Sequence, residues 1–222
     1  MQEIKICVIG LGYVGLPLAR LFSTKFKTIG FDKNQSRVDA LNAGKDTTLE
    51  VSDELLQEAI EKHGFRCTTN IEEIKESNFY VVAVPTPVDE NNRPDLRPLI
   101  GASQTVGQVI KKGDIVVYES TVYPGVTEEE CLPVVEQVSG LVFNKDFYAG
   151  YSPERINPGD KEHTVEKIKN IESVGQSEKN KKSNLRLNPR NSRHSRQRIQ
   201  HSINKRYTQS PNHKSSRSIE DY

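Results

Sequence analysis

The sequence predicts an α/β fold of the doubly wound kind, a parallel sheet with helices on both faces. Three observations carry this. Six short apolar runs rich in β-branched and aromatic residues recur between positions 4 and 151, each the length of a buried strand. Stretches with apolar residues three and four apart alternate with them, which is the order that builds a parallel sheet. A G-x-G-x-x-G hexapeptide joins the first strand to the first helix, where such sheets receive a dinucleotide.

The first strand is Ile4 to Ile9, and Gly10-Leu11-Gly12-Tyr13-Val14-Gly15 follows it directly. Val14, Leu18, Leu21 and Phe22 then recur at helical spacing, with Pro17 near the first turn, where a missing N–H costs least. The second strand, Thr28 to Phe31, ends in Asp32, twenty positions after Gly12. Each part of this unit has a mechanical job. Gly10 turns the chain off the strand, Gly12 lets a pyrophosphate approach the backbone, and Gly15 lets the helix pack close. Tyr13 and Val14 complete the turn, and the helix N-terminus offers N–H groups to phosphates. Asp32 can accept hydrogen bonds from both hydroxyls of an adenine ribose and repels a 2′-phosphate, so NAD is expected in preference to NADP. Lys33 and Arg37 nearby are expected to soften that preference.

The remaining elements follow in order. Asn34 can cap a short helix carrying Val38 and Leu41, closed by Gly44. Ser52 caps a second, with Leu55, Leu56, Ala59 and Ile60 as its buried stripe and Gly64 at its end. Phe65 to Thr68 is a short third strand. Asn78 to Val84 is a strong fourth, stopped by Pro85-Thr86-Pro87. A polar loop, Val88 to Pro94, leads to a helix capped by Asp95 and carrying Leu99, Ala102, Val106, Val109 and Ile110. Ile115 to Tyr118 is the fifth strand and runs into Glu119-Ser120-Thr121. Thr127 and Glu130 have the spacing of a capping box, opening a helix with Leu132, Val135 and Val138 inside. Phe147 to Tyr151 is the sixth strand. The expected strand order is 3-2-1-4-5-6, with ligands beyond the carboxyl ends of the strands. Thr86, Thr121 and Glu154 all follow strand ends, which makes them candidates for lining the crevice.

Composition narrows the function classes. The chain has 222 residues and a net charge of +1, which points to no polyanionic partner. Its three cysteines, Cys7, Cys67 and Cys131, lack the spacing of a disulfide framework or a zinc site, and no metal is expected. No leader opens the chain and no apolar run reaches the ~20 residues of a membrane span, so a cytoplasmic protein that binds neither membrane nor nucleic acid is expected.

Four stretches in order, GLGYVGLPLA, VAVPTP, ESTVYPGVTEE and YSPERINPGD, resemble the signatures of the NAD-dependent UDP-glucose/GDP-mannose dehydrogenase family. SPERINPGD resembles the branch acting on UDP-N-acetylhexosamines, and within it the enzymes that oxidise UDP-N-acetylglucosamine at C6 for Vi-type capsule synthesis look nearest. The resemblance covers residues 1 to 169, expected as the NAD-binding domain. It implies oxidation of a sugar CH2OH to a carboxylate with reduction of two NAD, by way of an aldehyde and a cysteine thioester. It also implies that Thr86 contacts NAD and that Thr121 lies near the nicotinamide and helps hold the reactive water. Glu154 would handle a proton near the reacting carbon, and Arg155 and Asn157 would touch the UDP-sugar. Family members are expected to be homo-oligomers; for this chain the oligomeric state stays open. In the family a central helix with a catalytic lysine and a G-G-x-C stretch with the nucleophile follow, and neither is found in this sequence. Enzyme and NAD-binding fragment without turnover therefore both stay open.

Beyond residue 170 the composition changes abruptly. Residues 1–170 hold 19 Lys+Arg against 26 Asp+Glu; residues 171–222 hold 12 against 4, with 10 Ser, 6 Asn and only 9 apolar side chains. Such a stretch cannot bury enough surface to order itself. It reads as a basic arm for nucleic acid, as a natural flexible tail, or, the favoured reading, as the product of a shifted reading frame. Amides from Ser173 to Tyr222 are accordingly expected to exchange with solvent at unprotected rates. Slow exchange there, read by mass spectrometry, would overturn the expectation.

Overall fold

The computed structural model describes residues 3–152, apart from positions 89, 91, 92 and 121. The strands are β1 (Lys5–Ile9), β2 (Lys27–Phe31), β3 (Arg66–Thr68), β4 (Phe79–Val82), β5 (Ile115–Tyr118) and β6 (Tyr148–Tyr151). The helices are α1 (Gly15–Ser23), α2 (Gln35–Asn42), α3 (Asp53–His63), α4 (Arg97–Val109) and α5 (Leu132–Ser139). All strand pairs are parallel and the order is β3-β2-β1-β4-β5-β6, as the sequence predicts. The chain reverses its direction of progress across the sheet between β1 and β4. The connections leaving the carboxyl ends of those two strands therefore run to opposite faces of the sheet and leave a crevice between them.

The sheet separates two cores, and β1 and β4 feed both. Cys7 and Ile9 of β1 point to one, with Tyr80, Val82, Val116, Tyr118 and the inner faces of α4 and α5. Ile6 and Val8 point to the other, with Val81, Phe65, Cys67 and the inner faces of α1, α2 and α3. This is the period-two alternation of a sheet covered on both sides.

The caps at α2 and α3 follow the sequence: Asn34 accepts from the Arg37 N–H, Ser52 from the Leu55 N–H, and Gly64 closes α3 in the left-handed conformation. Pro17 is the third residue of α1, within the turn where its missing N–H is harmless.

Four expectations need correction. On α1 the buried residues are Gly15, Leu16, Ala19 and Ser23, while Val14, Leu18, Leu21 and Phe22 are half-buried. The helix lies so close to the sheet that small residues at i, i+4 and i+8 form its contact face. On α3, Leu55 is exposed and Leu56 and Ala59 carry the packing. Asp95 lies one position before the N-cap of α4, which is Leu96, although its carboxylate still accepts the Arg97 N–H at 3.0 Å. Thr127 and Glu130 form no capping box. Thr127–Cys131 is a π-turn leading into α5, its N-cap Val126 makes no side-chain cap bond, and Thr127 is buried. Pro133 explains the wide turn: it cannot donate to the Glu129 carbonyl, and its ring would crowd that oxygen in an α pattern.

Helices α4 and α5 meet closely at Gly107 of α4. A Cβ there would stand 2.7 Å from Val138 Cβ and 3.3 Å from the Val135 carbonyl oxygen. Val138, expected inside, keeps 41 % exposure but supplies this contact. Gly107→Ala gains ~1 kcal/mol in helix propensity and costs ~1–3 kcal/mol in overpacking against groups that cannot yield. A lower urea midpoint is expected; a higher one would mean that α4 and α5 separate without cost.

Candidate functional site: the glycine turn and the crevice between β1 and β4

The three glycines do three different things. Gly10 has φ +90°, and a Cβ on it would meet Val84 Cγ1 at 2.9 Å and the Ala83 carbonyl oxygen at 3.0 Å. A Cβ on Gly15 would stand 1.8 Å from the Gly10 carbonyl oxygen, so the helix begins against the turn that precedes it. A Cβ on Gly12 would meet nothing within 4 Å. Gly12 thus faces open space, as a position that admits a bulky ligand to the main chain must. The N-cap of α1, Val14, makes no side-chain cap bond, and no acidic residue stands in the first turn. That end of the helix is left to an anion. Tyr13 flanks it, 52 % exposed.

Asp32 stands at the end of β2 with both oxygens anchored. Oδ2 accepts the Leu11 N–H at 2.9 Å and Oδ1 the Asn34 N–H at 2.9 Å. A carboxylate has about four acceptor sites, so each oxygen can still take a ribose hydroxyl. Lys33 is exposed, and its Nζ lies 3.2 Å from where a Cβ on Gly101 of α4 would be.

Arg37 takes a different place from the one expected. Its Nε and Nη2 donate to the Leu11 carbonyl at 3.0 and 2.8 Å, Nη1 to Thr47 Oγ1 at 3.0 Å, and Nη2 to Thr48 Oγ1 at 3.3 Å. Nη1 also pairs with Asp46 Oδ1 at 2.7 Å. These bonds account for all five guanidinium donors. Arg37 therefore has no hydrogen left to offer a 2′-phosphate, and the softening of NAD preference expected from it has no bond to act through.

Asp46 was not picked out from the sequence. Burial alone would raise its pKa, but hydrogen bonds from the Thr48 hydroxyl, the Val51 and Thr48 N–H groups and Arg37 outweigh this and hold it below the ordinary value. The available signal was Asp-x-Thr, the pattern of a side chain closing its own turn, and the Thr48 N–H does donate to Asp46 at 2.9 Å.

The loops after β4 and β5 converge on the turn. Val84 touches Gly10, and the Ser120 hydroxyl donates to the Val84 carbonyl at 2.6 Å. Thr86, two residues on, is half-buried in the loop so placed. A cleft of about 750 Å³ opens between this loop, at Pro87 and Val88, and the first turns of α4, at Leu96, Ile100, Gly101 and Gln104. That face of α4 carries no local signal, because Ile100 and Gln104 break no helical period. Thr121, Glu154, Arg155 and Asn157 lie outside the described residues.

The three cysteines are buried. Burial pushes the thiol of Cys67 up to about 12 and that of Cys131 up to about 11, and raises that of Cys7 as well. None is a thiolate at neutral pH. Among the described residues no group of three or more His, Cys, Asp or Glu side chains could hold a metal ion, and no helix is long and apolar enough to cross a membrane.

An open glycine turn, an uncapped helix N-terminus and an anchored acid at the end of β2 define a dinucleotide-binding domain. Comparison with known proteins narrows this. Residues 4–187 match the UDP-glucose/GDP-mannose dehydrogenase family, NAD binding domain, and the chain belongs to that family. It is 57% identical over 173 residues to UDP-N-acetyl-D-glucosamine 6-dehydrogenase of Pseudomonas aeruginosa, covering 78% of this chain and 40% of that protein. The enzyme of the same description from Salmonella typhi is 56% identical over 173 residues, with the same coverage. Among solved structures, UDP-D-ManNAc dehydrogenase from Pyrococcus horikoshii superposes with a TM-score of 0.66 at 35% identity, over 70% of this chain and 37% of that one. The chain spans about 40% of the length of the curated relatives it matches.

The glycines can be told apart by substitution. Gly12→Ala meets no atom and is expected to leave stability within ~0.5 kcal/mol while sharply weakening NAD binding. Gly15→Ala collides with main chain and is expected to lower thermal stability as well as binding. Calorimetric NAD titration beside thermal melts separates the two; equal stability losses would refute the assignment of roles.

Proposed function

We propose that this chain is the NAD-binding part of a nucleotide-sugar 6-dehydrogenase whose substrate is a UDP-N-acetylhexosamine, with UDP-N-acetylglucosamine the first candidate. The domain is taken as residues 1–169 from the change in composition beyond it. The observation that carries the reading is the pairing of an open Gly12 with an Asp32 whose oxygens are held but not saturated. High identity to enzymes described as UDP-N-acetyl-D-glucosamine 6-dehydrogenases supports the choice of sugar.

In this reading the turn from Gly10 to Gly15 and the first N–H groups of α1 bind the pyrophosphate. Asp32 accepts from the ribose hydroxyls, and its charge turns away a 2′-phosphate. Bound NAD supplies the hydride acceptor. Thr86 and Thr121 hold the nicotinamide end, Glu154 moves a proton at the sugar, and Arg155 and Asn157 bind the UDP-sugar.

A second reading is favoured by the cysteines. Conversion of an aldehyde to an acid in this family's manner needs a thiolate within ~3–3.5 Å of the carbon in an attack-ready pose. Cys7, Cys67 and Cys131 are 0%, 5% and 1% exposed, each packed among core side chains. The 222-residue chain by itself is then an NAD-binding unit that does not complete the oxidation.

Two measurements test these readings. Wild type is expected to bind NAD more tightly than NADP, and Asp32→Ala to lose ~10-fold or more in NAD affinity together with the preference. Equal affinities in wild type would end the cofactor assignment. Incubated with NAD and UDP-N-acetylglucosamine, the chain is expected to yield no uronic acid by mass spectrometry. Two NADH per sugar would show that one of the buried cysteines is the nucleophile after all.

A further inference from the structure

The glycine turn is held by a device behind it. The peptide group joining Leu11 to Gly12 presents its carbonyl to Arg37, which grips it with two N–H groups at 2.8 and 3.0 Å. In a planar trans peptide the carbonyl and the N–H point in opposite directions. Fixing the Leu11 oxygen toward Arg37 therefore fixes the Gly12 N–H away from it, on the residue whose surroundings are open. On the other side of Leu11, its own N–H is held by Asp32. Two successive peptide planes of the turn are thus clamped, one by the acid that faces the ribose and one by Arg37.

Arg37 is in turn held from behind. Asp46 has a fully buried side chain and pairs with Nη1 at 2.7 Å. Asp46 is itself fixed to the chain: Oδ1 accepts the Thr48 N–H and hydroxyl at 2.9 and 2.7 Å, and Oδ2 the Glu50 and Val51 N–H groups at 2.9 and 3.0 Å. A surface arginine would hold a carbonyl loosely, because it would have to give up its rotamer freedom to do so. One clamped by a buried, fully bonded carboxylate has already lost that freedom.

We propose that Asp46 and Arg37 act as a pair of positioning residues for the dinucleotide, holding the Leu11–Gly12 peptide so that its N–H, and not its carbonyl, faces the pyrophosphate. Without the clamp that peptide plane can turn, and a carbonyl lone pair would then oppose the phosphate charge. The inference rests on the NAD-binding reading of the site. It extends that reading to a loop, 46–51, that makes no claim on the cofactor itself.

The test uses the full chain as wild type, Arg37→Lys, Asp46→Asn, the double variant, and Val38→Ala as a control. Val38 is a core residue of the same helix, 3% exposed, and its apolar side chain takes no part in the clamp's hydrogen bonds. Lysine keeps the charge but cannot fork to Leu11 and Asp46 together. At a temperature where circular dichroism shows every variant folded, Arg37→Lys and Asp46→Asn are each expected to bind NAD about tenfold more weakly. The double variant should lose little beyond the worse single, since both break one clamp. Val38→Ala should lower the melting temperature and leave NAD affinity within about twofold. Unchanged affinity in folded Arg37→Lys would overturn the proposal, and so would an equal loss in Val38→Ala. If Asp46→Asn does not fold, Arg37→Lys decides. A second readout needs no cofactor: in nuclear magnetic resonance of the free protein, the Gly12 amide is expected to be sharp in wild type and exchange-broadened in Arg37→Lys. A sharp Gly12 amide in both sinks the clamp. Failure of wild type to bind NAD, with that broadening still seen, sinks the cofactor reading and leaves the clamp standing.

Discussion

How closely α1 can approach the turn that feeds it sets the geometry of the whole carboxyl edge of the sheet. A methyl group on Gly15 would be 1.8 Å from the Gly10 oxygen, a distance no packing adjustment absorbs. Because the helix is that close, its inner face must be small, and Gly15, Ala19 and Ser23 supply it. Because the turn is that tight, the loop after β4 can rest on it through Val84 and Gly10. The loop after β5 is then fastened to the same place by Ser120. One steric constraint therefore arranges three loops from three strands around a single opening.

Much of this was legible in the residues. The strand order, the three glycine positions, Asp32 and the caps at Asn34, Ser52 and Gly64 all follow from local chemistry, where a residue type is demanded by its own backbone. What was not legible depends on partners that a residue-by-residue pattern does not weigh. The period on α1 marked Leu18 and Leu21 as inner residues because apolar spacing reports which face is greasy, not how near the sheet lies. Arg37 looked like a free cation beside the ribose because nothing local says that Asp46, nine residues on, will claim it. Thr127 and Glu130 matched a capping box whose geometry Pro133 overrides from three residues further along. In the first two cases a tertiary contact outweighed a local reading, and in the third a proline one turn on outweighed a capping rule worth about 1 kcal/mol.

The chain's family membership and the crevice agree in kind, since both concern the cofactor half of the chemistry. The electrostatics of that half are economical. In the proposed binding mode neutral main-chain N–H groups and a helix end would meet the diphosphate and one acid the ribose, while Arg37 is turned inward against Leu11 and Asp46. A site that binds a charged ligand mainly through fixed dipoles depends less on ionic strength than one built from surface lysines.

The division of the sheet into two cores has a practical corollary. Cys7 and Cys131 belong to the core under α4 and α5, and Cys67 to the core under α1, α2 and α3. All three thiols are sealed from solvent, so an alkylating reagent reaches each only when its own layer opens. The chain thus carries a built-in clock on either side of the sheet. The order in which the sulfurs become reactive in mild denaturant tells which layer of helices lifts away first.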